Sequence, residues 1–499
     1  MTKAAALAFL LAGLCYTAWA PLQFLNPQVD RSLSYLSELA AVDQPWSWLV
    51  RCADVLAGAA CLAGVALAPD ERPGGAGAAG WLGLALFGTM TVLDAGVFPL
   101  DCAVLSDPSC AAAEAAGRLS VSHTVHAAVS SLALAGAGLS LVALPVSALR
   151  RRRLLPLGYG GAVLAVLMAA ATAWTLTLVA EAEEGVPGVP VGLAQRLQVG
   201  VVTLWLLLAG AALWRDRTRV VPQRSHVLLQ GTGTPPVVIC AGMAGAWFHW
   251  DRVAEDLRSD HLVIRFDRPG LGLSSGHPGP PSLAEEAGRI AALARRPIVV
   301  GHSVAAFHAE AFARLNPGGV AGLVLVDPSC ERPAGRGDGT RAAQGAAQGA
   351  AQGAARGAVR GAVQRALPAL GGTFGATALA RLVLPPAHRL LMGPHEEAGL
   401  VYGRGRVLAA ALAEWLAYPE MAAELDELRR ARPLPPVPVV VLSAGSGDAC
   451  HRDLARLLGA RLVPLADSGH EVQLDRPEAV AEAVRTLDIP RDTPPVAGH

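Results

Sequence analysis

The chain has 499 residues, of which 52% are hydrophobic and only 16% charged, with 41 basic and 41 acidic side chains in balance. That length calls for more than one domain, and the shortage of charge before residue 215 puts the N-terminal half in a membrane class. A formal charge of zero and a single lysine, Lys3, exclude the basic surface that a nucleic-acid binder needs.

Six stretches, roughly 4–25, 46–68, 78–100, 121–146, 154–180 and 197–214, are apolar enough and, at about 20 residues, long enough to span a bilayer as helices. Lys3, Arg72, Arg150 to Arg153, and Arg215, Arg217 and Arg219 fall on one side when the helices alternate. Positive charge stays on the cytoplasmic side, so an even helix count puts both termini in the cytoplasm of a multi-pass plasma-membrane protein. Ala18-Trp19-Ala20 has the small-x-small form of a signal-peptide cleavage site, but losing the first helix would break the even count. An uncleaved first helix is therefore expected.

Ionisable groups inside these runs are costly and mark a site or a partnered pair. They are Asp54, Asp94, His123 and His126, with Glu38 and Asp101 near helix ends. His123 and His126 share one helical face, and with Asp94 and Asp101 they could bind a metal ion; the preferred reading is an internal hydrogen-bond cluster that fixes packing, or residues satisfied by water at the interface. The eight cysteines show no zinc spacing, and most read as small apolar fillers. Cys102 and Cys110 flank a polar loop on the side opposite the arginines, where they would be either a disulfide or two free thiols.

SYLSELAA after the first helix, Asp101-Cys102 before the loop and Ser-x-x-His at 120–123 complete the pattern. Over roughly residues 5 to 215 it resembles a bacterial membrane family known as domain of unknown function 998. The resemblance implies a six-helix fold and no activity.

From Arg215 to Pro236 the texture turns polar, then Gly/Thr/Pro-rich. This predicts a transmembrane domain at 1–218, a linker and domain start at 219–236, and a second domain at 237–499. In the second domain, short apolar runs at 236–240, 261–266, 297–300, 323–326, 437–442 and 461–464 alternate with helical stretches. That order predicts a mostly parallel sheet flanked by helices.

The third of these runs ends on Gly301-His302-Ser303-Val304-Ala305, with an alanine-rich helix after it. A serine on a strained strand-to-helix turn between small residues is a nucleophile elbow, with Ala305 where a glycine usually stands. Met243, in the turn after the first run, and Val304 could offer backbone N–H groups to an oxyanion. Asp267 to Ser274 forms a glycine-rich turn after the second run. Asp467-Ser468-Gly469-His470 follows the last run, and His470 is the candidate base. Asp448, after VVVLSAGSG, is the preferred acid, and Asp327, after LVLV, is the alternative.

Together these features resemble the α/β-hydrolase fold superfamily over roughly residues 222 to 490. Many of its members carry His-Gly where this chain has Ala241-Gly242. The resemblance implies acyl transfer by Ser303, Asp448 and His470, with Met243 and Val304 as oxyanion donors and no cofactor or metal. It also implies a helical cap in the insertion at about 331–435. There a period-four RAAQGAAQG repeat at 341–363 reads as a marginal helix, because glycine at every fourth position costs nearly 1 kcal/mol each. Helices are expected at 376–384, stopped by Pro385 and Pro386, and at 407–430, broken or kinked at Pro419. His302 and His308 read as packing or surface residues, while Trp247, Phe248 and Trp250 could line an acyl pocket or pack helix to sheet.

The sequence thus predicts a membrane-anchored esterase, lipase or amidase acting on a small-molecule or lipid-derived substrate. A hydrolase-like ligand-binding module reporting to a membrane sensor or transport bundle is the alternative.

Overall fold

The structure is a computed structural model that describes residues 2–70, 75–184, 186, 188–216, 224–276, 280–330 and 359–487. It has two compact units. One holds Met1–Val220 with the short stretch Thr373–Gly375, and the other holds the remainder.

The first unit is helical: α1 (Thr2–Tyr16), α2 (Trp19–Leu22), α3 (Ser47–Leu67), α4 (Ala76–Gly96), α5 (Pro108–Ala115), α6 (Val121–Arg150), α7 (Leu155–Glu183) and α8 (Val191–Arg215). Among the described residues, six helical segments, with α1 and α2 counted as one, are long and apolar enough to cross a membrane. The last begins at Val191, earlier than expected, because Gln195, Arg196 and Gln198 lie within it. Arg196 is buried there and donates to Ser34 O, Gly192 O and Gln23 Oε1. Small residues let the backbones approach: a Cβ on Gly83 would lie 2.7 Å from Gly136 O, and one on Gly58 2.6 Å from Gly88 O. At one end of the bundle, Glu38 accepts from Leu105 N–H and Ser106 Oγ, and a disulfide joins Cys102 to Cys110.

The second unit is a seven-stranded sheet in the order β1-β3-β2-β4-β5-β6-β7. Its strands are β1 (Val227–Gln230), β2 (Val237–Cys240), β3 (Val263–Phe266), β4 (Ile298–His302), β5 (Gly322–Val326), β6 (Val439–Ala444) and β7 (Arg461–Leu465). Among the described strands only β1 runs antiparallel, pairing with β3. It lies in the segment read from sequence as linker and start of the second domain, where an edge strand half open to water has no continuous apolar run to reveal it. The inner strands β2 to β5 are buried along their whole length.

The helices that cover the sheet are α9 (Asp251–Leu257), α10 (Leu283–Leu293), α11 (Ala305–Leu315), α16 (Ala449–Leu458), α17 (Val472–Asp475) and α18 (Pro477–Arg485). Between β5 and β6 lies the cap. It comprises α12 (residues 359–370), α13 (Phe374–Met392), α14 (Ala398–Tyr402) and α15 (Gly405–Ala431). Most of the period-four repeat lies outside the described residues.

Two cap expectations need correction. Helix α13 continues through Pro385 and Pro386, and α15 runs unbroken through Pro419. In α15 the reason is packing on both sides of the proline: Ala417, Met421 and Leu425 join one buried cluster with Phe307. Burial of that face outweighs the roughly 3 kcal/mol that a helix-interior proline costs. In α13, His388 lies beyond the two prolines and is held by ring contacts with His249 and Tyr402.

Candidate active site

From Pro297 to Arg314 every residue is buried except Ser303. The turn therefore presents one side chain. Ser303 has φ 52°, a left-handed conformation that costs a non-glycine residue about 1–3 kcal/mol and persists only where the surroundings enforce it. Here its N–H donates to Val326 O at 3.1 Å, and its carbonyl accepts from Ser329 N–H at 3.0 Å. The small residue at 301 has a steric cause, since a Cβ there would sit 2.6 Å from Ala305 O. Ala305 itself is fully buried in the cluster on one sheet face, so its extra methyl is accommodated.

Two more non-glycine residues with positive φ stand beyond neighbouring strand ends, Ala244 (φ 55°) after β2 and Asp327 (φ 37°) after β5. Asp327 Oδ2 lies 2.6 Å from His470 Nδ1. Its other oxygen accepts from Ala444 N–H at 2.8 Å. The partner of His470 is therefore Asp327, and the preference for Asp448 is corrected. Asp448 is exposed and caps α16 by accepting from Cys450 N–H at 3.1 Å. The signal was present in the sequence: Asp448 stands directly before a strongly amphipathic helix, where aspartate is a favoured N-cap.

Burial works to raise the Asp327 carboxyl, but hydrogen bonds from His470 and the Ala444 N–H outweigh it and hold its pKa below the ordinary value. The same contact with Asp327 raises His470 above the usual histidine value, against partial burial. With Nδ1 on the carboxylate, Nε2 is the nitrogen free to exchange a proton.

Two other histidines hold this arrangement. His302 Nε2 donates to the His470 carbonyl at 2.9 Å, so the sequence reading of His302 as mere packing missed a positioning contact. Burial, then the charge of His470, lowers its pKa to about 3, which keeps the ring neutral. Its Nδ1 side faces Gly242, where a Cβ would approach to 2.6 Å, so position 242 admits only glycine. His451 Nε2 donates to Pro328 O at 2.8 Å, and its Nδ1 takes the Ser443 hydroxyl at 2.6 Å. His308 is buried in α11. Cys330, just past Asp327, forms a disulfide with Cys450, a pairing between residues read from sequence as fillers.

Met243 and Val304 share an apolar cluster with Phe307, Met421 and Leu425, which brings the two candidate oxyanion donors to one wall. Neither backbone N–H donates to a backbone acceptor among the described residues. A buried ion pair fixes the loop between them. Arg268 Nε and Nη2 contact Glu414 at 2.6 and 2.9 Å, and the guanidinium also donates to Ala241 O and Gly242 O. Glu414 in turn accepts from Ala244 N–H at 3.1 Å, while the Tyr402 hydroxyl donates to Ala244 O at 2.9 Å. Asp267 organises the adjoining turn by accepting from Trp247 and Leu273 N–H groups, and a Cβ on Gly272 would fall 2.0 Å from its carboxyl carbon. Trp247, Phe248 and Trp250 are buried in packing clusters with the sheet and the cap.

Ligand atoms of His302, His470 and Glu471 lie within 4.8 Å of one another. However, His302 Nε2 and His470 Nδ1 are already committed to fixing His470. That commitment suits proton transfer better than a cation.

A strand-to-helix serine, a histidine beyond the last strand and a cap inserted after β5 define the α/β-hydrolase class. The profile described as "Alpha/beta hydrolase family" matches residues 227–483, and the chain belongs to that family. Residues 9–212 match the profile "Protein of unknown function (DUF998)". No curated protein matches the chain.

Among solved structures, wild-type Cfl2 from Burkholderia cenocepacia is 23% identical, covering 53% of this chain and 91% of that one at a TM-score of 0.37. A malate-bound thermophilic esterase from Thermogutta terrifontis is 22% identical, with 54% and 94% covered and a TM-score of 0.38. The enol-lactonase from Burkholderia xenovorans LB400 is 21% identical, with 53% and 95% covered and a TM-score of 0.35.

Proposed function

We propose that the chain is a membrane-anchored serine hydrolase that cleaves ester or amide bonds through an acyl-enzyme on Ser303. The observation that carries this reading is the Asp327–His470 contact at 2.6 Å beside a strained turn whose only unburied residue is Ser303. Asp327 orients His470 with Nε2 toward the serine. His470 removes the Ser303 proton as Oγ attacks the carbonyl, then returns it to the leaving group. The N–H groups of Met243 and Val304 stabilise the oxyanion; in the second half His470 takes a proton from water as its oxygen attacks the acyl carbonyl, and returns that proton to Ser303 Oγ as the acid is released. The six apolar helices and the placement of arginine support a plasma-membrane anchor with both termini cytoplasmic. Anchoring favours a substrate that partitions into the bilayer.

A fluorophosphonate probe should label the full-length protein in detergent and leave Ser303→Ala unlabelled. Well-folded protein that resists the probe would instead favour a hydrolase-like ligand-binding module. An acyl-ester, amide and lipid panel, scored against Ser303→Ala, then narrows the substrate.

The acid limb of the pH–rate profile gives an independent check. His470 acts only when neutral and its pKa is raised by Asp327, so kcat/KM should fall as pH drops through a midpoint above about 6.5, the ordinary histidine value. A midpoint at or below that value would count against the pairing.

A further inference from the structure

The helical bundle has its own cavity, of about 150 Å³, lined from α1, α2, α3, α4, α6, α8 and the loop after α2. It lies toward the end of the bundle where α3, α6 and α8 begin and α4 finishes, away from the Arg150 end of α6. Two carboxylates, Asp54 and Asp94, reach it, with one guanidinium, Arg51.

The charges are not matched to one another. Asp94 has local partners, Ser130 Oγ at 2.8 Å and His126 Nδ1 at 3.1 Å. Arg51 turns its Nε to Ala95 O at 2.9 Å. Asp54 has no hydrogen bond or ion pair among the described residues. A carboxylate inside an apolar bundle with no partner is costly, and is kept where something else supplies the counter-charge. The remaining walls are aromatic: Tyr16, Trp19 and Phe87 line the same cavity, with Tyr16 and Phe87 edge to face at 5.2 Å. The Trp19 indole N–H is buried and without a partner. His123 stands apart from this group, its Nδ1 accepting from Asp101 N–H at 3.1 Å, which separates the two histidines paired in the sequence reading.

We propose that this cavity binds a small organic ammonium ion, with the Asp54 carboxylate as its counter-charge and Tyr16, Trp19 and Phe87 as its aromatic wall. Carboxylate plus π-faces is the chemistry that selects a cation carrying apolar substituents. A divalent metal fits less well, because among the described residues no three His, Cys, Asp or Glu ligand atoms of the bundle gather within 4.8 Å. The unpaired Trp19 N–H suits a ligand that also carries an acceptor oxygen.

The test is calorimetric titration of the detergent-solubilised full-length protein with benzylammonium, its neutral isostere benzyl alcohol, and zinc or magnesium ions. Benzylammonium should bind saturably and at least tenfold more tightly than benzyl alcohol. Asp54→Asn should weaken it at least tenfold while leaving fluorophosphonate labelling of Ser303 intact. Should Asp54→Asn fail to fold, Val199→Phe, which fills the cavity from α8, should abolish binding instead. No binding of benzylammonium, equal binding of the alcohol, or saturable binding of the metal ions alone would each overturn the assignment.

Discussion

Asp327→Asn should lower kcat by about 10⁴-fold while Asp448→Asn stays near wild type, because only the first removes the carboxylate that holds His470 in its working tautomer. The two residues make a controlled pair. Each follows a late strand of the same sheet, and each precedes a helix or the cap. Asp327 sits 2.6 Å from His470 with its second oxygen fixed by Ala444 N–H. Asp448 is exposed and caps α16, and asparagine caps a helix about as well as aspartate, so this substitution should change neither stability nor chemistry appreciably. The measurement is kcat and KM on whichever ester the panel identifies, with thermal melts as the folding control. Equal losses in both variants, or a larger one in Asp448→Asn, would refute the assignment of the acid.

The second large effect is expected at the Arg268–Glu414 pair. Glu414→Leu leaves a guanidinium buried without its carboxylate, which typically costs about 3–5 kcal/mol. At roughly 2–4 °C per kcal/mol for a domain of this size, the melting temperature should fall by on the order of 10 °C. The double variant Arg268→Met/Glu414→Leu separates stability from function. An apolar pair of similar volume should recover most of the lost stability, since a buried ion pair often contributes little net. Activity should not return with it, because Ala241 O, Gly242 O and Ala244 N–H all lose the partners that hold the loop proposed to carry the Met243 oxyanion donor. The defect should fall on kcat with KM little changed. Full activity in a stable double variant would show that the pair serves folding alone.

What the sequence makes legible follows from where each signal is local. VVIC, GLVLV and the elbow at Ser303 are readable because strands buried on both faces are continuous apolar runs and the turn demands small residues at fixed offsets. The spanning segments are readable because the bilayer imposes length and apolarity. Strand β1 escapes notice because Leu229 faces water, 64% exposed, and the run is too short and too polar around it. Pro385, Pro386 and Pro419 mislead because packing of His388, Ala417 and Met421 overrides local propensity. Asp327 loses to Asp448 in sequence because both follow apolar runs, and only a fold shows which one meets His470. Nothing in the sequence signals that Arg268 and Glu414 meet across 146 positions, nor that Cys330 pairs with Cys450.

Ala244 has a further consequence for turnover. Its carbonyl and its N–H are both gripped from the cap, by Tyr402 on α14 and Glu414 on α15. A cap that swung away as a rigid lid would break both holds on the loop that carries Met243. Motion of α14 or α15 is therefore coupled to the loop after β2, so whatever seats the cap also sets the arrangement of the backbone beside Ser303.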